Sequence, residues 1–421
     1  MNLDIQIGKE KPPVGGLFFY INIIIDFQSL NDTIDNMKKY DVIVIGAGAA
    51  GLMAAAAASA RNRRVAIVEM GETPARKVMA SGGGKCNITN TAADYTRYFG
   101  KNPAFVRGAL SRIKPEDILN WAHKNNIALY QKTPGRYFCK NGAQEVVDAL
   151  IADVRGCDIY FNQSVQDVCK NDDWFNVKTN KQQYATKSLI VATGGISFQT
   201  LGVSDAGYKI AKKFGHKIEP VRPALCALAI KGWNTELAGI SLEAEMQIGK
   251  HTVRDSLLFT HFGIGGPATY RFSLYDLNQD VKLNLCPNLD LFESLKNAKK
   301  TQGRKNLITI LSSVVPSRIA KWILKNDNRK IADVKDNELK SIADKICNIK
   351  IKTSDIKYHG MQSAEVVRGG VNVDEISPKT MESKLCPGLF FAGEVMDIAG
   401  DLGGFNLQWA WSSGIIAGQN A

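Results

Sequence analysis

The tightest constraint on this chain lies between residues 40 and 69. Tyr40–Ile45, "YDVIVI", is an almost unbroken apolar run, as a strand covered on both faces of a parallel sheet requires. It leads directly into Gly46-Ala-Gly48-Ala-Ala50-Gly51. An alanine-rich helix over Leu52–Ala60 and a second apolar strand, Val65–Glu69, follow. Strand, Gly-x-Gly-x-x-Gly, helix, strand and a terminal acid form the context in which such glycines hold a dinucleotide. Gly46 makes the tight turn, Gly48 admits a diphosphate against the backbone, and Gly51 lets helix and strand pack closely. Ala50, just ahead of this helix, joins the expected cofactor contacts, because the unpaired N–H groups and dipole of a helix start favour an anion. Glu69, about 20 residues on, is placed to accept from ribose hydroxyls, with Met70 beside it.

The second glycine-rich feature is "SGGGKCNITN", Ser81–Asn90. Three glycines in a row cost conformational entropy, so the backbone there has a purpose. It is no Walker loop, because Lys85 is followed by Cys86 and the magnesium-binding hydroxyl is missing. The loop follows the ribose-binding strand, so Gly84 can approach the cofactor closely, with Lys77 and Lys85 near its phosphate or ring oxygens.

Further on, helical stretches are predicted at Pro103–Leu110, Pro115–Asn125 and Gln144–Val154. Strands are expected at Asp158–Phe161, Phe175–Thr179 and Ser188–Val191, and Val165 joins the expected cofactor contacts. "VATGG" supplies Ala192, Thr193 and Gly194, and "GLFFAGEVMDIAGDLGGFNLQWAWSSG" supplies Gly393, Glu394, Gly404, Phe405, Asn406 and Leu407. A late strand end that returns to the first domain suits FAD, whose ribityl chain and ring need contacts beyond the diphosphate. A last helix starting near Gly404 can point its N-terminus at the reduced ring. Between these parts, Val221–Phe262 reads as short alternating strands and Leu291–Cys347 as Lys-rich helices. The expected architecture is α/β: a Rossmann-like FAD-binding domain (37–198 and 353–421) interrupted by an inserted domain (199–352).

The segments "DVIVIGAGAAGLMAA", "KVMASGGGKCNITN", "GRYFCKNGAQEVVDAL", "LIVATGG", "LLFTHFGIGGPA" and "TMESKLCPGLFFAGEVMDIAGDLGGFNLQWAWSSG" occur in an order that resembles the BaiN/RdsA-like flavoprotein family, also labelled aminoacetone oxidase family FAD-binding enzymes. The resemblance implies an insert with a β-barrel-like part and a helical part. It also implies hydride transfer from flavin to a conjugated C=C, in uridine of large-subunit ribosomal RNA or in a bile-acid enone. Lys85 stands where that family commonly has Arg, Gly265 where it has Ser, and Phe138–Asn141 departs from its usual stretch.

Charge tilts the choice toward the RNA, although a solvated Lys-rich face is the plainer reading of the basic insert. The chain carries +12, and residues 291–352 hold 15 Lys and Arg against 6 Asp and Glu, a footprint suited to phosphates. NADH or NADPH is the expected transient donor. Cys86 and His261 are the candidate proton donors; an inert small thiol and a buried structural histidine are the plainer readings. Gly263-x-Gly265-x-x-Ala268 also matches a dinucleotide pattern, but Pro267 stands in its presumed helix start. Eight cysteines without a Cys-x-x-Cys pair and only five histidines argue against a metal site or a disulfide framework and for a reduced, cytoplasmic protein. The apolar run Val14–Phe27 is too short to span a bilayer. Residues 1–36 are expected to be a dispensable extension before Met37, with no membrane partner. Oligomeric state is unknown from sequence. A small-molecule reductase, an amine oxidase and a non-enzymatic flavin-containing RNA-binding or sensor protein remain alternatives.

Overall fold

The computed structural model describes residues 37–325 and 327–421; the expectations for residues 1–36 lie outside them. β1 (Lys38–Ile45) ends in four fully apolar residues, Val42–Ile45, that are all buried. The chain then turns at Gly46, with φ at +105°, where a Cβ would stand 2.5 Å from the Ala192 carbonyl oxygen. α1 (Ala49–Ser59) buries Ala50, Ala54, Ala55 and Ala58, and β2 (Val65–Val68) runs parallel to β1. β3 (Asp158–Tyr160) adds in parallel outside β2. β4 (Val165–Asn171), β5 (Trp174–Thr179) and β6 (Gln183–Val191) form an antiparallel meander, and β6 pairs in parallel with β1. The order β3-β2-β1-β6-β5-β4 brings the ends of β1, β2 and β6 to one rim.

α2 (Ala206–Lys213) still packs on this first core through Tyr208, Ile210 and Ala211. β7 (Ile218–Ala224) then leaves it and enters a second body. There β8 (Leu228–Ile230), β9 (Ser241–Ile248), β10 (His251–Phe259), β11 (Gly263–Gly265), α3 (Gly266–Phe272) and β12 (Val281–Asn284) are followed by four helices: α4 (Leu291–Thr301), α5 (Leu307–Ser312), α6 (Ser317–Leu324) and α7 (Asp336–Cys347). β13 (Ile349–Ile351) and β14 (Ile356–Tyr358) complete an antiparallel sheet of order β13-β12-β9-β10-β11-β8-β14. Its core runs from Leu228 to Ile356. The expected span 199–352 is therefore wider than this core at its start and slightly short at its end. β15 (Val366–Val371) returns antiparallel to β7.

β16 (Leu389–Phe391) extends the first sheet beside β6. α8 (Phe405–Asn420) closes the fold by lying on α1. Gly414 and Gly418 make this possible: a Cβ on either would stand 2.3 Å and 2.1 Å from the carbonyl oxygens of Ala50 and Ala54. Small residues on both helices let the backbones approach, and Trp409 and Trp411 of α8 are fully buried. No helix of the described residues is long and apolar enough to cross a membrane.

Candidate functional site

A cavity of about 620 Å³ opens at the rim where β1, β2, β6 and β16 end. Gly46, Gly48 and Ala50 line one wall, Glu69 and Met70 the next, and Val165 lies at the outer side. Ala192, Thr193 and Gly194 come from the end of β6, Gly393 and Glu394 from the end of β16, and Gly404, Asn406 and Leu407 from the start of α8. Lys77 lines it as well, so segments far apart in sequence converge on one space.

The glycines of the fingerprint divide by what surrounds them. A Cβ on Gly51 would fall 1.9 Å from the Gly46 carbonyl oxygen, so this glycine serves the fold and does not line the cavity. A Cβ on Gly48 would meet nothing within 4 Å, and its φ of −82° and ψ of −173° suit any residue. No protein atom requires glycine there; a group outside the protein would. Gly48 also precedes α1 without a side-chain cap, leaving the helix-start N–H groups for an anion. Glu69 Oε2 accepts from Ala47 N (2.8 Å), and Oε1 accepts from Gly71 N (2.7 Å) and Arg76 Nη2 (3.0 Å). This places a carboxylate at the second wall. Open cradle, bare helix start and acid together fit the diphosphate and ribose of FAD.

Lys77 and Glu394 form a clamp within the same cavity. Lys77 Nζ donates to Glu394 Oε2 and Ser197 Oγ, each at 2.8 Å, while Glu394 Oε1 accepts from Val367 N (3.0 Å). Glu394 lines the cavity, but its carboxylate is largely occupied in tying the loop after β6 to the returning strand β15.

The glycine loop is a strained ribbon. Gly82, Gly83, Gly84 and Cys86 have φ of +59°, +66°, +80° and +45°. Gly82 and Gly83 face the cavity, whereas Gly84 does not. Lys85 points to solvent and donates to the Lys140 carbonyl (3.1 Å), away from the position expected for it. Cys86 is fully buried beneath the loop, outside the cavity. Its hydrogen bond with Cys139, together with burial, pushes its thiol well above the ordinary range, which suits an inert core thiol. Phe405 is likewise buried, its ring edge-on to Tyr98.

His261 is neither buried nor in the cavity. Thr260 N donates to the Gly263 carbonyl (2.8 Å) and Gly263 N to Thr260 Oγ1 (3.1 Å), so the tight turn between β10 and β11 carries the imidazole outward. The second glycine pattern is structural. Gly263 lies in a strand, where a Cβ would stand 2.2 Å from the Leu228 carbonyl oxygen.

Several cavity residues carried no sequence signal. Lys132 and Arg136 line it from the hairpin that pairs with the glycine loop, and Gly403 leaves room for the Arg136 guanidinium, 2.4 Å from where a Cβ would be. Glu365, just before β15, also lines it. Its backbone is fixed by Leu225 and Ser197, while its carboxyl has no hydrogen-bond or ion-pair partner among the described residues. Surrounding protein pushes that carboxyl above the ordinary range. The nearby Tyr270 phenol is pushed up as well, by burial first and Glu365 second. Glu365 is thus an exposed, unpaired acid at the cavity whose carboxyl is shifted upward.

The family described as HI0933-like protein Rossmann domain matches residues 40–420. A ribosomal RNA dihydrouridine synthase of Escherichia coli is 35% identical over 398 residues, covering 91% of this chain and 98% of that protein. A protein of the same name from Haemophilus influenzae is 37% identical over 393 residues, with coverage of 90% and 97%. A 3-dehydro-bile acid delta(4,6)-reductase of Clostridium scindens is 28% identical over 404 residues, with coverage of 90% and 98%.

Proposed function

Since this chain belongs to the HI0933-like Rossmann family and its cavity fits FAD, we propose that it is an FAD-dependent reductase that converts a uridine of large-subunit ribosomal RNA to dihydrouridine. The observation that carries the substrate is the near-full-length likeness, at 35% and 37% identity, to two relatives named for that activity. The more distant bile-acid relative is also a reductase by name. Lys132 and Arg136 at the cavity suit an anionic substrate, as a nucleotide is.

When bound, FAD supplies the hydride, with NADH or NADPH as the source of electrons. The chain's own residues supply position and a proton. Gly46, Gly48 and the start of α1 hold the diphosphate, and Glu69 takes the ribose. The Lys77–Glu394 clamp keeps the loop after β6 and strand β15 in register. Addition of hydride to the β-carbon of a conjugated C=C leaves negative charge on the carbonyl side, which a proton at the α-carbon discharges. Glu365 is the donor in this reading, because Cys86 is buried beneath the loop and His261 faces away. The basic insert, residues 291–352, contacts the RNA, and the reaction takes place in the cytoplasm.

The test is ribosomal RNA from a strain lacking the gene. One dihydrouridine should be missing and should return on incubation with purified enzyme and NADPH. An unchanged modification map, with turnover on a small enone, would move the assignment to the small-molecule reading.

A further inference from the structure

The lysines of the insert are not equivalent. On α4, Lys296 and Lys299 pair with Glu293 and Asp336, and nearby Lys305 donates to Gln302. Arg329 is shared by Asp327 and Glu338. That stretch spends part of its positive charge internally, with Lys300, Arg304 and Lys305 in no ion pair among the described residues.

A groove of about 710 Å³ lies elsewhere on the same body, between α6, α7 and the edge strand β13. Lys325, Lys340, Lys345 and Lys350 line it, all exposed and none in an ion pair among the described residues. The one acid of the lining, Asp344, accepts from Asn348 Nδ2 (3.1 Å). Trp322, half-buried on α6, shares the groove. A lysine on an edge strand guards against strand pairing, and that explains Lys350 alone. It does not explain why lysines from α7 and the end of α6 converge on the same concavity beside an indole.

We propose that this groove binds a single-stranded segment of RNA, its phosphates on Lys325, Lys340, Lys345 and Lys350 and a base against Trp322. Unpaired cations along a channel with an aromatic plate are the combination that takes single strands without sequence preference. Duplex RNA, read through its minor groove and backbone, has no use for the indole. The proposal rests on the reading of this chain as an RNA-modifying reductase and locates where the substrate is gripped outside the flavin cavity.

The experiment titrates the FAD-loaded protein against a fluorescent twelve-nucleotide single strand and the matching duplex, by anisotropy, from 50 to 200 mM KCl. In the variant carrying Lys325→Gln, Lys340→Gln, Lys345→Gln and Lys350→Gln, four lost contacts at roughly 0.7 each should flatten the log–log salt slope by about 2.8. Across that fourfold salt range, wild type should then lose about 50-fold more affinity than the variant. Trp322→Phe should lose the quenching of tryptophan emission by RNA and weaken binding, leaving the slope intact. A matched variant outside the groove, Lys296→Gln with Lys299→Gln, Lys300→Gln and Lys305→Gln, should change the slope less. FAD content and flavin reduction by NADPH should be unchanged in all of them. An unaltered slope in the groove variant, duplex bound as tightly as single strand, or polyglutamate competing as well as RNA would each overturn the groove. A protein that forms dihydrouridine yet shows any of these keeps its function and loses only this site. A protein that binds RNA here but forms no dihydrouridine loses the reading on which the proposal rests.

Discussion

Gly48→Ala and Gly51→Ala look alike on paper, and the structure separates them. At Gly48 the added Cβ meets nothing within 4 Å and the backbone is ordinary. Two small terms then oppose each other in the apoprotein. Less freedom in the unfolded chain stabilises by about 0.4–1 kcal/mol, and alanine is a poorer helix N-cap than glycine by roughly 0.5–1 kcal/mol. They nearly cancel, so the apoprotein should melt within about 2 °C of wild type. The methyl instead occupies space assigned to the diphosphate. Overpacking costs about 1–3 kcal/mol, which corresponds to FAD affinity lower by roughly 5- to 150-fold. At Gly51 the Cβ lies 1.9 Å from a carbonyl oxygen of the adjoining turn. Backbone must move, at a cost of about 3 kcal/mol or more, and both the apoprotein melt and FAD binding should suffer. Circular dichroism melts of stripped protein and titration of flavin fluorescence on reconstitution measure the two quantities separately. Gly48→Ala with wild-type FAD affinity would place the diphosphate elsewhere. An apoprotein melt several degrees lower would make this glycine structural.

Replacing Glu365 by Gln should leave flavin reduction by NADPH intact while slowing dihydrouridine formation by roughly 100-fold or more. Because its carboxyl is held above the ordinary range, activity that needs the protonated form falls as pH rises through that raised value. The Gln variant should lack this alkaline limb, and a variant that keeps it excludes Glu365 as the donor. Gly414→Val should force α8 off α1, since its Cβ starts 2.3 Å from the Ala50 carbonyl oxygen. A lower melting point and weaker FAD retention, measured together, are expected. Deleting residues 1–36 should leave FAD content and melting temperature unchanged, because β1 begins at Lys38; loss of folded protein would show the extension to be structural.

The first βαβ unit was readable because its determinants are local. "VIVIGAGAAG" carries strand, turn and helix start within one stretch, and the glycine demands come from immediate neighbours. Glu365 was invisible for the opposite reason. In "QSAEVVRGG" it is one acid among small residues, and only the return of β15 to the cavity gives it a role. Arg136 depends likewise on Gly403, far along the chain, to leave it room. His261 is a candidate by residue type alone, as a protonatable group on the insert; a two-bond turn leaves it exposed and outside the cavity, neither donor nor buried structural histidine. The lysine count was right as a sum but silent on pairing. Lys299 is spent on Asp336, 37 positions away, while its neighbour Lys300 and the groove lysines Lys325, Lys340, Lys345 and Lys350 are in no ion pair among the described residues.

The packing of α8 on α1 also sets a schedule. Trp411 Nε1 donates to the Ile88 carbonyl across 323 positions of sequence, and the start of α8 supplies one wall of the cavity. At about 5–20 residues per second, translation separates the two partners by roughly 15–65 s. Through that interval the alanine face of α1 has no helix to cover it, and the flavin pocket is missing a side. The nascent chain must wait with an exposed apolar stripe that a holdase can occupy. FAD is therefore expected to bind stably only once α8 has closed the cavity. Stalled chains that stop short of α8 should leave the ribosome colourless.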